Sequence, residues 1–135
     1  MVQVFTAGLV SLKDKKLLLT FSRNKKAYYL PGGKIDSGEN PEQALLRELG
    51  EELNLKLSVA DLIFYTHITA PAYEEPNETM MEQDCFRSDW DGPLLPSSET
   101  ECIDYFDFVA FKKLKVQVPG VLILMKKLIA DGLME

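Results

Sequence analysis

A helix specified at both of its ends constrains this chain most. Asn40 is a favoured N-cap residue, Pro41 suits the first helical position, and Gln43 stands where a capping box places Glu or Gln. Asn54 is one of the few non-glycine residues that enters the left-handed backbone region easily, so it can close a helix. These signals bound a helix over Pro41–Leu53. At about 100° per residue, Leu45, Leu46, Leu49 and Leu53 share one arc. Glu48, Glu51 and Glu52 share a second arc, its centre displaced by roughly 120°. The leucines anchor the helix to a core, and that anchoring fixes where the carboxylates point.

Three carboxylates at i, i+3 and i+4 repel one another by a few tenths of a kcal/mol per pair. A solubilising face interleaves Lys with Glu to avoid this cost; here only Arg47 intervenes. Clustered oxygen donors are what a hard cation such as Mg²⁺ or Mn²⁺ requires. The bland reading of the same three residues is a solvated acidic face. Upstream, Gly32 and Gly33 follow Leu30-Pro31 and supply a backbone able to turn tightly or approach a ligand. Gly38-Glu39 lies just before the cap, so Glu39 can fold back onto the acidic flank. Arg47 is placed to pair with Glu39 or Glu51 and hold the ligand carboxylates in position. Its bland role is a surface pair with Glu51, worth about 0.3–0.5 kcal/mol.

Around this helix the chain reads mostly as strands. Val2–Leu12 is one, with Gly8 inside it; Asp14-Lys15-Lys16 is a turn, and Leu17–Phe21 returns to form a hairpin with the first. Ser22–Lys26 is a polar, basic loop, and Ala27–Leu30 a short strand running into Pro31-Gly32-Gly33. Leu55–Thr69 is mostly extended, Pro71–Asn77 a surface loop, and Glu78–Trp90 strand-like, with a turn at Asp91-Gly92. Leu94–Thr100 is irregular and Ile103–Phe108 a further strand. A second helix occupies residues 120–131, centred on Val121–Ala130, after Pro119 and with Gly132 as its C-cap. The expectation is a single domain over residues 1–135 in which two helices pack on a mixed sheet.

Composition excludes more than it selects. The formal charge of −6, from 21 acidic and 15 basic side chains, argues against partners such as long nucleic acids. A small phosphorylated substrate stays open, because a cation bound by carboxylates reverses the local sign. A lone histidine, His67, removes most zinc chemistries. Cys85 and Cys102 lack metal-ligand spacing and read as two unpaired, buried thiols. The apolar run Pro119–Met125 is too short to span a bilayer. With no basic leader ahead of an apolar stretch, the expected location is cytoplasmic.

The segment GGKIDSGENPEQALLRELGEELNL resembles the signature of the Nudix hydrolases. Gly33 matches its leading glycine, Glu39 its first glutamate, Arg47-Glu48 its central pair, Leu49 an apolar position, Glu51-Glu52 its final pair and Leu55 its terminal apolar position. Asn54 departs from the family's glycine. The resemblance extends over nearly the whole chain and implies an α/β fold, the α/β/α sandwich, with 41–53 as the catalytic helix.

The resemblance further implies that Glu48, Glu51 and Glu52 are the principal ligands of Mg²⁺ or Mn²⁺, with Glu39 an auxiliary one. A carboxylate near the last strand often joins them in similar proteins, which makes Glu101 and Asp104 candidates and Glu99 and Glu82 weaker ones. Glu48 or Glu52 would take the proton of the attacking water. Arg23, Lys25 and Lys26 stand before the glycines and are candidates for distal phosphates; Gly32 and Gly33 would approach the substrate by their backbone. Phe5, Phe21, Tyr28, Tyr29 and Tyr65 are candidates for base selection, and His67 and the loop Pro71–Asn77 for the pocket rim. The implied activity is hydrolysis of a phosphoanhydride in a nucleotide-like diphosphate, with a MutT-like nucleoside triphosphate pyrophosphatase favoured by the compact size. An ADP-ribose or nucleotide-sugar pyrophosphatase and a non-catalytic nucleotide-binding module are the alternatives. A monomer or a homodimer is expected.

Overall fold

The computed structural model describes residues 2–73, 79–90, 94–95 and 100–135, except the side chains of Thr100 and Glu101. Among the described residues eight strands and three helices follow in chain order: β1 Val2–Val10, β2 Leu12–Lys13, β3 Lys16–Ser22, β4 Ala27–Tyr29, β5 Gly32–Lys34, α1 Pro41–Leu53, β6 Ile63–Pro71, β7 Thr79–Arg87, β8 Thr100–Phe106, α2 Phe108–Lys112 and α3 Pro119–Ala130. A single 3₁₀ turn, Val59–Asp61, precedes β6.

The strands form two sheets where the sequence suggested one. The first is mixed, in the order β5-β1-β7-β6: β1 runs parallel to β7 and antiparallel to β5, and β6 is antiparallel to β7. In the second, β3 is the hub. Leu17 pairs with Leu12 of β2 and with Phe106 of β8, while Thr20 pairs with Tyr29 of β4 and with Ile103 of β8. The uninterrupted apolar run Leu17–Leu19 is buried throughout, as expected for a strand paired at both edges and covered on both faces.

The long first strand expected over Val2–Leu12 is therefore two. β1 ends at Val10, and the chain crosses at Ser11 from one sheet to the other, so the hairpin across Asp14-Lys15 involves only β2 and β3. Asp14 and Lys15 both take positive φ, 52° and 61°, the backbone of a two-residue hairpin turn. The last strand also ends sooner than the sequence suggested. Asp107 caps a short helix by accepting the Ala110 N–H at 2.7 Å, which turns Phe108 into α2 and buries Phe111.

α1 covers one face of the first sheet, where Leu45, Leu49 and Leu53 pack with Ala7, Leu9, Leu55 and Phe86. The other face is covered by α3, through Val121, Leu124, Met125 and Leu128, together with Leu17, Leu19 and Ala27 of the second sheet. This is a mixed α/β architecture with helices on both sides of a mixed sheet. Each buried leucine of α1 contributes about 2 kcal/mol by transfer from water.

Candidate active site

α1 begins and ends as its sequence dictates. Asn40 accepts the Gln43 N–H at 2.8 Å and Gln43 returns the bond to the Asn40 N–H at 2.9 Å, completing the capping box. At the other end Asn54 adopts φ 53°, ψ 33°, and its N–H closes onto the Leu49 carbonyl. Its side chain adds a bond that glycine lacks, Nδ2 donating to the Leu95 carbonyl at 2.9 Å. Leu46 is only half-buried, whereas Ala44 joins Leu45, Leu49 and Leu53 in the core.

Arg47 is the hub of the acidic flank. Its guanidinium grips Glu39 with two bonds, Nε to Oε2 at 2.8 Å and Nη2 to Oε1 at 3.0 Å. Nη1 reaches Glu48 at 2.8 Å and Glu51 at 3.1 Å, and Nη2 also donates to the Lys34 carbonyl at 3.1 Å. Asp36 lies 3.2 Å from Nη2, and its N–H donates to Glu39. The Arg47 bonds and then the Asp36 N–H hold the Glu39 carboxyl below the usual range. Glu48 goes the other way: partial burial raises its pKa more than Arg47 lowers it, and Glu51 and Asp36 add to the rise. Arg47 itself is locked in its charged form, chiefly by Glu39.

The two glycines meet two different glutamates. The Gly32 N–H donates to Glu52 Oε1 at 2.8 Å, and Gly32 at φ 139° uses a backbone closed to other residues. Gly33 lies directly under Glu48: a Cβ there would stand 2.6 Å from its Cδ and Oε2. The strand before the helix and the carboxylates upon it are thus a single contact surface.

Whether these residues suit a divalent cation is a question of their chemistry. Among the described residues, no three Asp, Glu, His or Cys side chains converge as a metal shell does. Arg47 fills the space between Glu39, Glu48 and Glu51, and Glu52 is turned to Gly32. The donor set is all carboxylate oxygen, the kind a hard dication takes. Burial first, and then the neighbouring Glu51 and Asp36, raise the Glu48 pKa, a cost that a bound cation would offset, and the bare Cα of Gly33 leaves a cradle at its oxygens. In kind, the residues fit.

Beside Glu52 opens a cleft of about 220 Å³ on the face of the first sheet opposite α1. Gly33, Lys34, Glu52 and Lys25 line its polar end; Val4, Met81, Val118, Tyr29 and Tyr73 form an apolar wall, and Gln83 and Thr6 complete the floor. The Tyr29 and Tyr73 rings stand 6.5 Å apart, tilted at 53°, and Lys25 Nζ lies 6.0 Å from the Tyr29 centroid.

Several expected residues stand elsewhere. Arg23 is exposed and does not line the cleft, unlike its neighbour Lys25. Asp104 is exposed, accepts the Tyr105 N–H at 2.9 Å, and makes no bond to the α1 carboxylates among the described residues. Glu101 lies on β8 with its side chain outside the described residues, and Glu99 lies outside them altogether. Of the five aromatic candidates only Tyr29 lines the cleft; Tyr65 is bonded instead to Asp131. His67 is not at the cleft rim. It sits on the α1 face of the sheet between Asp84, at 2.8 Å from Nδ1, and Glu82, at 2.9 Å from Nε2. Glu82 is thereby engaged with His67 and Thr69 and makes no bond to the α1 acids among the described residues. Cys85 and Cys102 are both free, as expected, but only Cys85 is buried.

The loop Pro71–Asn77, expected at the pocket rim, does line the cleft through Pro71, Ala72 and Tyr73, its remaining residues lying outside those described; sequence reasoning missed Lys34 and Gln83. Strand alternation was the available signal for the last, since Glu82 and Asp84 facing one side turn Gln83 to the other.

Comparison with known proteins matches residues 3–131 to the NUDIX domain model. An 8-oxo-dGTP diphosphatase of Haemophilus influenzae is 59% identical over 32 residues, a stretch that spans only 24% of this chain and 24% of that enzyme. Among solved structures, a MutT NUDIX hydrolase from Burkholderia pseudomallei superposes with a TM-score of 0.71 at 19% identity, over 94% of this chain and 98% of that one. The E. coli ORF135 protein gives 0.71 at 21% identity, over 96% and 91%. At such identity the structural likeness is one of fold.

Proposed function

Because this chain belongs to the Nudix hydrolase family, we propose that it hydrolyses a phosphoanhydride bond in a nucleoside diphosphate linked to another moiety, and specifically that it is a nucleoside triphosphate pyrophosphatase. One observation carries the reading. Glu52 belongs both to the carboxylate flank of α1 and to the wall of a cleft with an aromatic side, so the acids and an apolar ring-sized surface share one opening. The name of the Haemophilus relative, an 8-oxo-dGTP diphosphatase, supports a triphosphate over a dinucleotide.

In this reading Glu48, Glu51 and Glu52 would hold Mg²⁺ or Mn²⁺, which when bound offsets charge on the phosphoryl oxygens and lowers the pKa of a bound water. Arg47 keeps the helix acids splayed at defined positions through its bonds to Glu39, Glu48 and Glu51. Lys25 and Lys34, at the polar end of the cleft, are the cations for the phosphate chain. Glu52, oriented by the Gly32 N–H and facing the cleft, is our choice for the group that takes the proton from water, ahead of Glu48.

The test is a panel of nucleoside triphosphates, ADP-ribose and nucleotide sugars with Mg²⁺, with the products identified. Release of pyrophosphate and a nucleoside monophosphate is expected, abolished by excess EDTA. Glu51→Gln and Glu52→Gln should each lower turnover at least tenfold in folded protein. Preference for ADP-ribose or a nucleotide sugar overturns the triphosphate assignment; nucleotide binding without turnover overturns the enzyme.

A further inference from the structure

Gln83 is a nearly buried polar side chain on the floor of the cleft. It is 9% exposed. Among the described residues one side-chain hydrogen bond reaches its carboxamide, from the Cys85 thiol at 3.8 Å to Oε1; the same thiol lies 3.9 Å from the Gln83 main-chain carbonyl. A thiol is a weak donor, and these separations are at the limit of contact. The carboxamide therefore retains both amide protons and most of its acceptor strength. The neighbouring hydroxyls are differently occupied: Thr6 donates to the Glu82 carbonyl and Thr20 to the Tyr29 carbonyl. The carboxamide faces the cleft, where a partner from outside the protein can reach it.

The backbone beneath it is adapted to the same end. Gly8 of β1 lies beside Gln83, and a Cβ there would stand 3.0 Å from Gln83 Nε2 and 3.2 Å from Cδ. Its φ is negative, so the backbone does not demand glycine; the space taken by the carboxamide and by Leu30 Cδ1, also 3.0 Å from that Cβ, does. Across the sheet Lys34, Thr6 and Gln83 are in register on β5, β1 and β7. That row puts Gln83 two strand spacings, about 10 Å, from the polar end where Lys34 and Glu52 stand. The Tyr29 and Tyr73 rings flank the apolar part of the cleft.

We infer that Gln83 is the residue that reads the base, by hydrogen-bonding the edge of a nucleobase that presents a donor and an acceptor side by side against the Tyr29–Tyr73 wall. A carboxamide offers the complementary pair, one acceptor and one donor in a plane, which a hydroxyl or a charged group does not. The inference rests on the proposed nucleotide substrate and adds to it the part of the molecule that is recognised. An amide built to pair with a base edge rejects a base lacking that edge, because its own buried groups are then left unpaired.

The experiment compares wild type with Gln83→Leu on two pairs of nucleotides: ATP with purine riboside triphosphate, and CTP with the analogue lacking its 4-amino group. For the ring size the cleft accepts, deleting the amino group is expected to lower kcat/KM of the wild type at least tenfold, mainly through KM. Gln83→Leu should lose as much with the intact base and less than twofold more with the deleted one. Gly8→Ala, which crowds the carboxamide without removing it, should fall between. A wild-type preference that survives unchanged in Gln83→Leu overturns the inference. Titration with methylene-bridged ATP and CTP reads the same differences as Kd without turnover. Binding that depends on Gln83 in a protein that hydrolyses none of these substrates upholds the inference while defeating the proposed activity. Thermal melting of each variant confirms folding, and Gln83→Met serves where Gln83→Leu does not fold.

Discussion

Gly33 and Glu48 share one volume: a Cβ on the first would lie 2.6 Å from the carboxylate of the second. Gly33 is not in the left-handed region, so alanine is acceptable to its backbone. The conflict is with a side-chain tip, which moves at small cost to the fold. Gly33→Ala is therefore expected to melt within a few degrees of wild type while turnover falls about tenfold to a hundredfold, as displacement of a reacting group by about 1 Å would produce. Unchanged kcat with a lowered melting temperature would reverse this assignment.

Arg47 serves Glu39, Glu48, Glu51, Asp36 and the Lys34 carbonyl with one planar fork. Lysine keeps the charge but cannot bond in five directions. Arg47→Lys should cost about 1–2 kcal/mol in urea unfolding, counting the pairs as partly screened with the Arg47 side chain 29% exposed. Turnover should drop more than binding, because Glu48 and Glu51 lose a common support. Full activity in this variant argues against a positioning role.

Asn54 sits where a side chain is strained, at φ 53°. Asn54→Ala keeps the strain and removes the bond to Leu95, and should destabilise by about 1–2 kcal/mol. Asn54→Gly removes the same bond but relaxes the backbone, so its loss should be smaller. Equal stability of the alanine variant and wild type would show that the asparagine side chain and its bond to Leu95 contribute nothing.

His67 joins β6 to β7 by bonding Asp84 and Glu82 together, with Thr69 also donating to Glu82. Both carboxylates raise the His67 pKa above its ordinary 6.5, Asp84 more than Glu82. The stability this provides is full below pH 6.5 and is lost as pH rises through the folded-state value. Glu82, held below 4.5 mainly by His67, contributes in the opposite sense, and its share disappears as pH falls through its own lowered value. Stability from the pair should peak between about pH 4.5 and 6.5. Melting temperatures from pH 4 to 9 should show a decline above pH 6.5 that His67→Gln abolishes; an identical decline in the variant would assign it to other groups.

What could be read in advance was local. The capping box, Pro41 at the first turn and the leucine spacing act within a few residues, and α1 follows them from end to end. What could not be read depended on distant partners. The crossing at Ser11 exists because Leu9 donates to the Pro31 carbonyl while Ser11 accepts from Leu18, two sheets claiming successive residues. The face taken by His67 follows from pairing with β7, in a strand whose register shifts between Phe64 and Thr66. A missed local signal also exists: Asp107 is a standard N-cap residue, and only the apolar texture after Ile103 concealed α2.

The crossing at Ser11 also decides where this polypeptide tolerates surgery. Ser11 is buried, its carbonyl is bonded to Leu18, and its neighbour Val10 accepts from Ser88. A residue spliced in there would shift β2 against β3 or pull β1 against β7, disturbing one sheet to suit the other. Three residues later, Asp14 and Lys15 are exposed at a hairpin tip. A tag, a label or a new pair of chain ends belongs at the second position and not the first.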